Sequence, residues 1–337
     1  MAETSAGIAR RAPRRGLRAP SQWAGELWIG VVILGVVFLA AVIVSIVPFH
    51  DPFAISDDAY AGPSGSHWLG TDNIGRDSFT RLALAGRTSL VISACATAIA
   101  CLLGMLLGVI AGYVGGFADH LVMRVCDVLL AIPAILVALM VRVIVGPGTI
   151  PLIISMGLIY MPTFARVMRA PVLALRDRDF VVAAEIAGTP RRVIMFSHLL
   201  PNALTPLFIQ AAATASEVVL LEAALSYLGQ GVQAPNPSAG RMISEFAKFM
   251  QTDPWLVILP AVLIVAISAA WNLIADGLQA TLAPRRSAPS GNRRRRSALR
   301  PFVGDAVLSG AAVVADAPAL PSADPEPQLI EKGTGQS

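Results

Sequence analysis

"DFVVAAEIAGTPRRVIMFSHLLPN", residues 179–202, is polar and basic in its first half, yet long apolar runs flank it on both sides. Asp179 is placed to cap a short helix, "FVVAAEIA", and Gly188 to end that helix in a left-handed conformation. Thr189 then caps a second helix whose first residue is Pro190, a position where the missing N–H has no intrahelical partner to lose. Pro201 marks the change of direction into the next apolar run. The stretch reads as a helix-turn-helix held outside the hydrocarbon, between two membrane spans.

The rest of the chain sets that reading. Mean hydropathy is +0.65, 55% of residues are apolar and 14% are charged, far less charge than a soluble surface carries. A hydrocarbon core about 30 Å thick needs roughly 20 apolar helical residues to cross it. Leu27 to Val47 and Leu90 to Gly112 contain no charge, and Trp255 to Ala275 is equally clean. Val125 to Val145 is interrupted by Asp127 and Arg142, Ile150 to Ala165 is shorter but uncharged, and Leu204 to Leu228 carries Glu217 and Glu222. The expectation is an all-α polytopic membrane protein with about six spanning helices. The apolar core of the first run is too long for a cleaved leader and lacks a small-residue cleavage pattern, so it reads as a retained span.

Arg10, Arg11, Arg14, Arg15 and Arg18 precede span one, and Arg166, Arg169, Arg176, Arg178, Arg191 and Arg192 are read as lying between spans four and five. Arg285, Arg286 and the run Arg293 to Arg296 follow span six. With an even number of spans all three groups fall on one side, which the positive-inside rule makes cytoplasmic, along with both termini. The division is a disordered basic tail over 1–24, a six-helix domain over 25–283 with its loop at about 176–201, and a second disordered tail over 284–337. The run "NRRRR" is expected to lie against lipid headgroups, so the net charge of +4 calls for no nucleic acid.

Between spans one and two, "HWLGTDNIGRDSFTRLALAGRTSL" supplies turn formers in Gly70, Thr71, Asp72 and Gly75, and a helix cap in Asp77. Its acids lack the alternating oxygen ligands and closing Glu of a calcium loop. Span two sets Ala96, Ala100, Gly104, Gly108 and Gly112 four apart on one face, which predicts close helix packing, within the chain or against a partner subunit.

Other chemistry is missing. The two lysines, Lys248 and Lys332, sit in no phosphate-cradling GxxxxGK[ST] loop, and "GQGVQA" from Gly229 follows an apolar helix with no βαβ unit around it. The cysteines, Cys95, Cys101 and Cys126, and the histidines, His50, His67, His120 and His198, lack ligand spacing, so no metal site, cofactor or catalytic centre is expected in this chain. Glu217 reads either as a residue of a translocation path or as an interhelical hydrogen-bonding group, and Glu222 as the latter. Arg142 is expected to snorkel outward.

In the opening stretch, Ala183, Ala184 and Gly188 form a face with almost no side-chain bulk, over which another protein's groove could close. Arg191 and Arg192 at its rim suit a carboxylate-bearing partner. The alternative is an amphipathic helix resting on the membrane surface. "VAAEIAGTPRRVIMFSHLLP" resembles the EAA loop of bacterial ABC importer permeases, whose pattern is Glu-Ala-Ala, three residues, Gly, then an apolar segment ending in Leu-Pro. Ala183, Ala184, Gly188, Leu200 and Pro201 match, and Val182 stands where the Glu would be. "HWLGTDNIGRDSFTRL", "AALSYLGQGVQAPNPSAGRMI" and "WNLIADGLQATLAPR" resemble segments of the second permease subunit of dipeptide, oligopeptide and nickel importers, with Ala239 replacing an expected Trp and Ala283-Pro284-Arg285 replacing Asp-Pro-Arg. The likeness covers roughly Gly25 to Arg286.

The resemblance implies the type I ABC importer permease fold and a place in the bacterial plasma membrane. It also implies a homologous permease partner, two ATPase subunits that bind ATP and magnesium, and an extracytoplasmic substrate-binding protein. Ala183, Ala184, Glu185, Gly188, Thr189, Arg191 and Arg192 would dock the ATPase. The implied cargo is a di- or oligopeptide, with nickel or another small solute as the alternative. A secondary transporter using Glu217, a structural membrane anchor and an ABC exporter permease are the competing classes.

Overall fold

Small residues spaced four apart along the second apolar run fix the centre of the molecule, because they let two helix backbones approach within side-chain distance. The computed structural model describes residues 20–47, 51 and 53–282, and its elements are all helical. In chain order they are α1 (Pro20–Ile46), α2 (Ser78–Val114), α3 (Gly116–Ala131), α4 (Ala134–Val145), α5 (Thr149–Arg176), α6 (Asp179–Ile186) and α7 (Arg191–Val193). A π-helical turn over Ile194–Leu199 follows, then α8 (Leu200–Ala203), α9 (Thr205–Tyr227), α10 (Ala239–Phe246) and α11 (Trp255–Leu282).

The ladder lies against α5 of the same chain. A Cβ added at Gly108 would meet the Ala165 carbonyl at 2.5 Å and the Met168 Cβ at 2.7 Å, and one at Gly112 would meet Val172 at 2.8 Å. Gly157 of α5 returns the contact against Ile99. Residue numbers rise together along both helices, so α2 and α5 run parallel. A parallel pair joined by one connection requires the chain to recross in between. That return is made by α3 and α4, which are bent by 94° across Ile132 and Pro133. Val125 to Val145 is therefore one broken crossing, begun as far back as Gly116, and no straight rod. Pro133 supplies the break, since it has no N–H for a continuing helix.

Counting the bent pair once gives six crossings among the described residues. Gly277 of α11 packs on Leu27 and Gly30 of α1 on Ala270, so α1 and α11 are antiparallel. The start of α1, the end of α11 and the loop holding α6 thus share one side of the molecule. The opposite side carries the 51–77 segment, the 146–148 turn and α10.

Several boundaries differ from expectation. Helix α1 begins at Pro20, five residues inside the stretch assigned to the basic tail. Helix α2 begins at Ser78 and spans 37 residues, because Asp77 caps it by accepting from the Thr80 N–H. Helix α5 continues to Arg176, so Arg166 and Arg169 are helical and not in a loop. They are held there by α3, with Arg166 pairing with Asp127 and Arg169 engaging both carboxylate oxygens of Asp119. The arginines before position 20 and after 282, and both tails, lie outside the described residues.

On the side away from α6, polar clusters replace the calcium geometry that the acids superficially suggest. Asp72, 1% exposed, accepts from the backbone N–H groups of Ile74 and Arg76 and pairs with the Arg76 and Arg81 guanidinium groups. Arg81 also reaches Glu245 at 3.1 Å, and Arg241 joins Glu245 at 2.8 Å, which ties the head of α2 to α10. Glu222 of α9, fully buried, accepts from Ser89 of α2 at 3.0 Å and Ser226 at 2.7 Å, the interhelical bonding expected of it.

Arg142 departs most from expectation. It does not snorkel: it is 4% exposed and donates to the carbonyls of Gly148 at 2.7 Å and Gly231 at 3.0 Å. Backbone carbonyls of two loops each accept from one of its terminal nitrogens, though its Nε–H is buried without a partner among the described residues, and the two bonds clasp the end of α4 to the turn after α9.

Candidate functional site

The loop after α5 is built as a rigid bracket. Helix α6 has Arg178 as its N-cap with no side-chain bond, so Asp179 is the first helical residue and not the cap. At the other end the chain reverses through two bonds, Thr189 N–H to the Ala184 carbonyl and Gly188 N–H to the Glu185 carbonyl, both 3.0 Å. This is a Schellman turn, and Gly188 takes the left-handed conformation it needs at φ 76°. Thr189 gives no side-chain cap to the next helix, because the cap position falls on Pro190. The widened π turn at Ile194–Leu199 then aims Ile194, Met195 and Leu199 into the core between α2 and α5. Turns of this kind are frequent at functional sites.

Helix α6 is anchored by one face. Val181 is fully buried and Ala184 half-buried against a cluster holding Tyr113, Met168 and Val172. Tyr113, in the last turn of α2, donates its hydroxyl to Glu185 Oε1 at 2.8 Å. One oxygen of Glu185 is thereby committed within the chain. The free face carries Val182, Ala183 and Ile186 at helical spacing, with Gly188, Arg191 and Arg192 exposed beyond it. Ala184, grouped with Ala183 in the sequence reading, belongs to the anchored face. Ile186 was missed there, and it is 83% exposed, an apolar side chain at the centre of a surface left uncovered among the described residues. Its signal was present, because positions three beyond Ala183 and four beyond Val182 share their face.

Removing the Tyr113 hydroxyl tests the anchor. Tyr113→Phe is expected to weaken the seat of α6 by about 1 kcal/mol, the worth of one partly exposed bond to a carboxylate. Faster backbone hydrogen exchange over 180–187, with exchange in α9 unchanged, would show it.

Glu217 lies away from this loop, at the thirteenth position of the 23-residue α9, and the ladder residues Ala96, Ala100, Gly104, Gly108 and Gly112 lie within the α2–α5 seam. Among the described residues no group of three or more His, Cys, Asp or Glu side chains is arranged to hold a metal ion.

Residues 104–288, from the middle of α2 through the bracket to just past α11, match the family described as binding-protein-dependent transport system inner membrane component. The chain belongs to that family. This binding-protein-dependent permease is 37% identical over 224 residues to the dipeptide transport system permease protein DppC of Alkalihalophilus pseudofirmus, covering 66% of the chain and 74% of that protein. It is 41% identical over 224 residues to DppC of Escherichia coli K12, covering 66% and 75%. It is 39% identical over 229 residues to the glutathione transport system permease protein GsiD of Salmonella typhimurium, covering 68% and 76%. The family and the apolar helices make the permease a multi-pass protein of the bacterial plasma membrane, a membrane component of an ABC transporter and not a catalytic enzyme.

Proposed function

We propose that the chain is one of two homologous permease subunits of an ATP-driven importer of di- or oligopeptides. Two partner ATPases that bind ATP and magnesium would dock on the bracket, and an extracytoplasmic binding protein would deliver the cargo. One observation carries the reading: α6 is seated by Val181, Ala184 and Glu185 while Val182, Ala183, Ile186 and Gly188 stay uncovered. A helix fixed on one side and open on the other receives a push and passes it on. Closure of the ATPase pair would draw the two brackets together and tilt the spans as rigid bodies between inward- and outward-facing states.

Charge supports the sidedness. Arg178, Arg191 and Arg192 lie exposed on the α6 side, whereas Arg76, Arg81 and Arg241 on the opposite side are tied into ion pairs with Asp72 and Glu245. The α6 side is accordingly the cytoplasmic one. The relatives' names favour a short peptide as cargo over a metal ion.

Co-purification tests the proposal. A tagged chain is expected to bring down a homologous permease and ATPase subunits, and ATP hydrolysis by that complex in vesicles should rise when binding protein and a dipeptide are added together. Uptake that proceeds with no ATPase present would instead make the chain a secondary transporter.

A further inference from the structure

Helix α9 turns an unusual face outward. At successive helical steps of four and three, Gln210, Ala213, Glu217, Leu220, Ala224 and Tyr227 are half-buried or exposed, while Thr214, Val218, Leu225 and Ser226 are buried against the neighbouring spans. Glu217 stands midway along the helix, so it is at the depth where water is scarcest. It makes no hydrogen bond or ion pair among the described residues, in contrast to Glu222, which is buried and bonded. Across from it on α5, Tyr160 packs against the same apolar cluster as Val218 and Leu221, the residues next to Glu217 and one turn beyond it.

A carboxylate on the open face of a span is costly in lipid, so this face borders water or protein. Ala213 and Ala224, one turn or two away, leave room beside it. An unpaired acid with space next to it and a phenol across from it is suited to a compact cation that donates several hydrogen bonds, and an ammonium has three donors. We propose that Glu217, with Tyr160, forms a subsite for the α-ammonium of a peptide in transit, so that the permease itself checks the free amino terminus of its cargo. The inference rests on the importer reading above.

The test uses the complete complex reconstituted with its binding protein. Initial uptake of a free-amino dipeptide and of its N-acetylated form is compared in wild type, Glu217→Gln and Glu217→Asp. Glu217→Gln is expected to slow free-amino uptake about tenfold, as loss of a charge-assisted bond implies, and to leave N-acetylated uptake at its wild-type rate. Glu217→Asp should recover part of the loss, and all three complexes should assemble alike and retain ATP hydrolysis. Unchanged uptake in Glu217→Gln, or equal slowing of both peptides, overturns the subsite. Loss of the partner permease from Glu217→Gln preparations also overturns it, by making Glu217 an interface group. If wild type takes up neither peptide, the importer reading itself fails.

Discussion

A chain carrying Gly188→Asp is expected to fold, assemble and support ATP hydrolysis while moving almost no cargo. Gly188 is left-handed at φ 76°, a conformation that costs an ordinary L-residue about 1–2 kcal/mol. Aspartate and asparagine tolerate it better than other side chains. A Cβ at this position would meet nothing within 4 Å among the described residues. Neither strain nor collision therefore removes the variant from the folded pool, and the effect falls on what docks there. A carboxylate added beside Ile186 would be desolvated without a partner, which displaces the coupling helix in its groove while the assembly holds, and cuts coupled uptake at least tenfold. Gly188→Asn keeps the backbone tolerance and omits the charge, so it should lie between. Paired measurements of uptake and hydrolysis in vesicles decide the matter, and full uptake by the Asp variant would remove Gly188 from the docking surface.

The second large effect is structural. Gly108→Leu places side-chain atoms where Ala165 and Met168 already stand, and the 2.5 Å approach is to backbone, which no rotamer change relieves. Overpacking at such a seam costs about 3 kcal/mol, and here it pries apart the helices that seat the bracket. Gly35→Leu on α1, whose Cβ would meet nothing within 4 Å, should stay within about 0.5 kcal/mol of wild type. Thermal midpoints of the two purified variants in one detergent check both statements, and a Gly108→Leu protein as stable as Gly35→Leu would contradict the seam.

The local grammar of the bracket is readable because caps, a helix-ending glycine and a proline act within a few residues of themselves, so Gly188 and Pro190 announce the reversal before any tertiary contact is known. The same holds for the small residues of α2, whose spacing speaks of a close neighbour without naming it. What escapes is contact between distant parts of the chain. Arg142 looks like a residue free to reach the membrane surface until the Gly231 carbonyl, 89 positions away, is brought to it. Arg166 and Arg169 look like loop cations until α3 offers Asp127 and Asp119. Glu185 looks wholly available to a partner until Tyr113 folds onto it from 72 residues back. Hydropathy averaged over a window also hides direction, so the turn at Pro133 vanishes within an apolar run that reads as straight.

The length of α2 has a mechanical consequence. At about 1.5 Å per residue its 37 residues reach about 55 Å, well beyond a hydrocarbon layer of about 30 Å, and no proline interrupts them. One tip is locked by Arg81 into the cluster of Asp72 and Glu245, and the other grips α6 through Tyr113. Beside it, α5 carries Pro162 and Pro171, and α3 and α4 meet at a right-angled elbow. A load applied at α6 therefore meets a stiff member and compliant ones in parallel. The stiff one is suited to pass a displacement toward the far face of the membrane, and the compliant ones to absorb the change of shape.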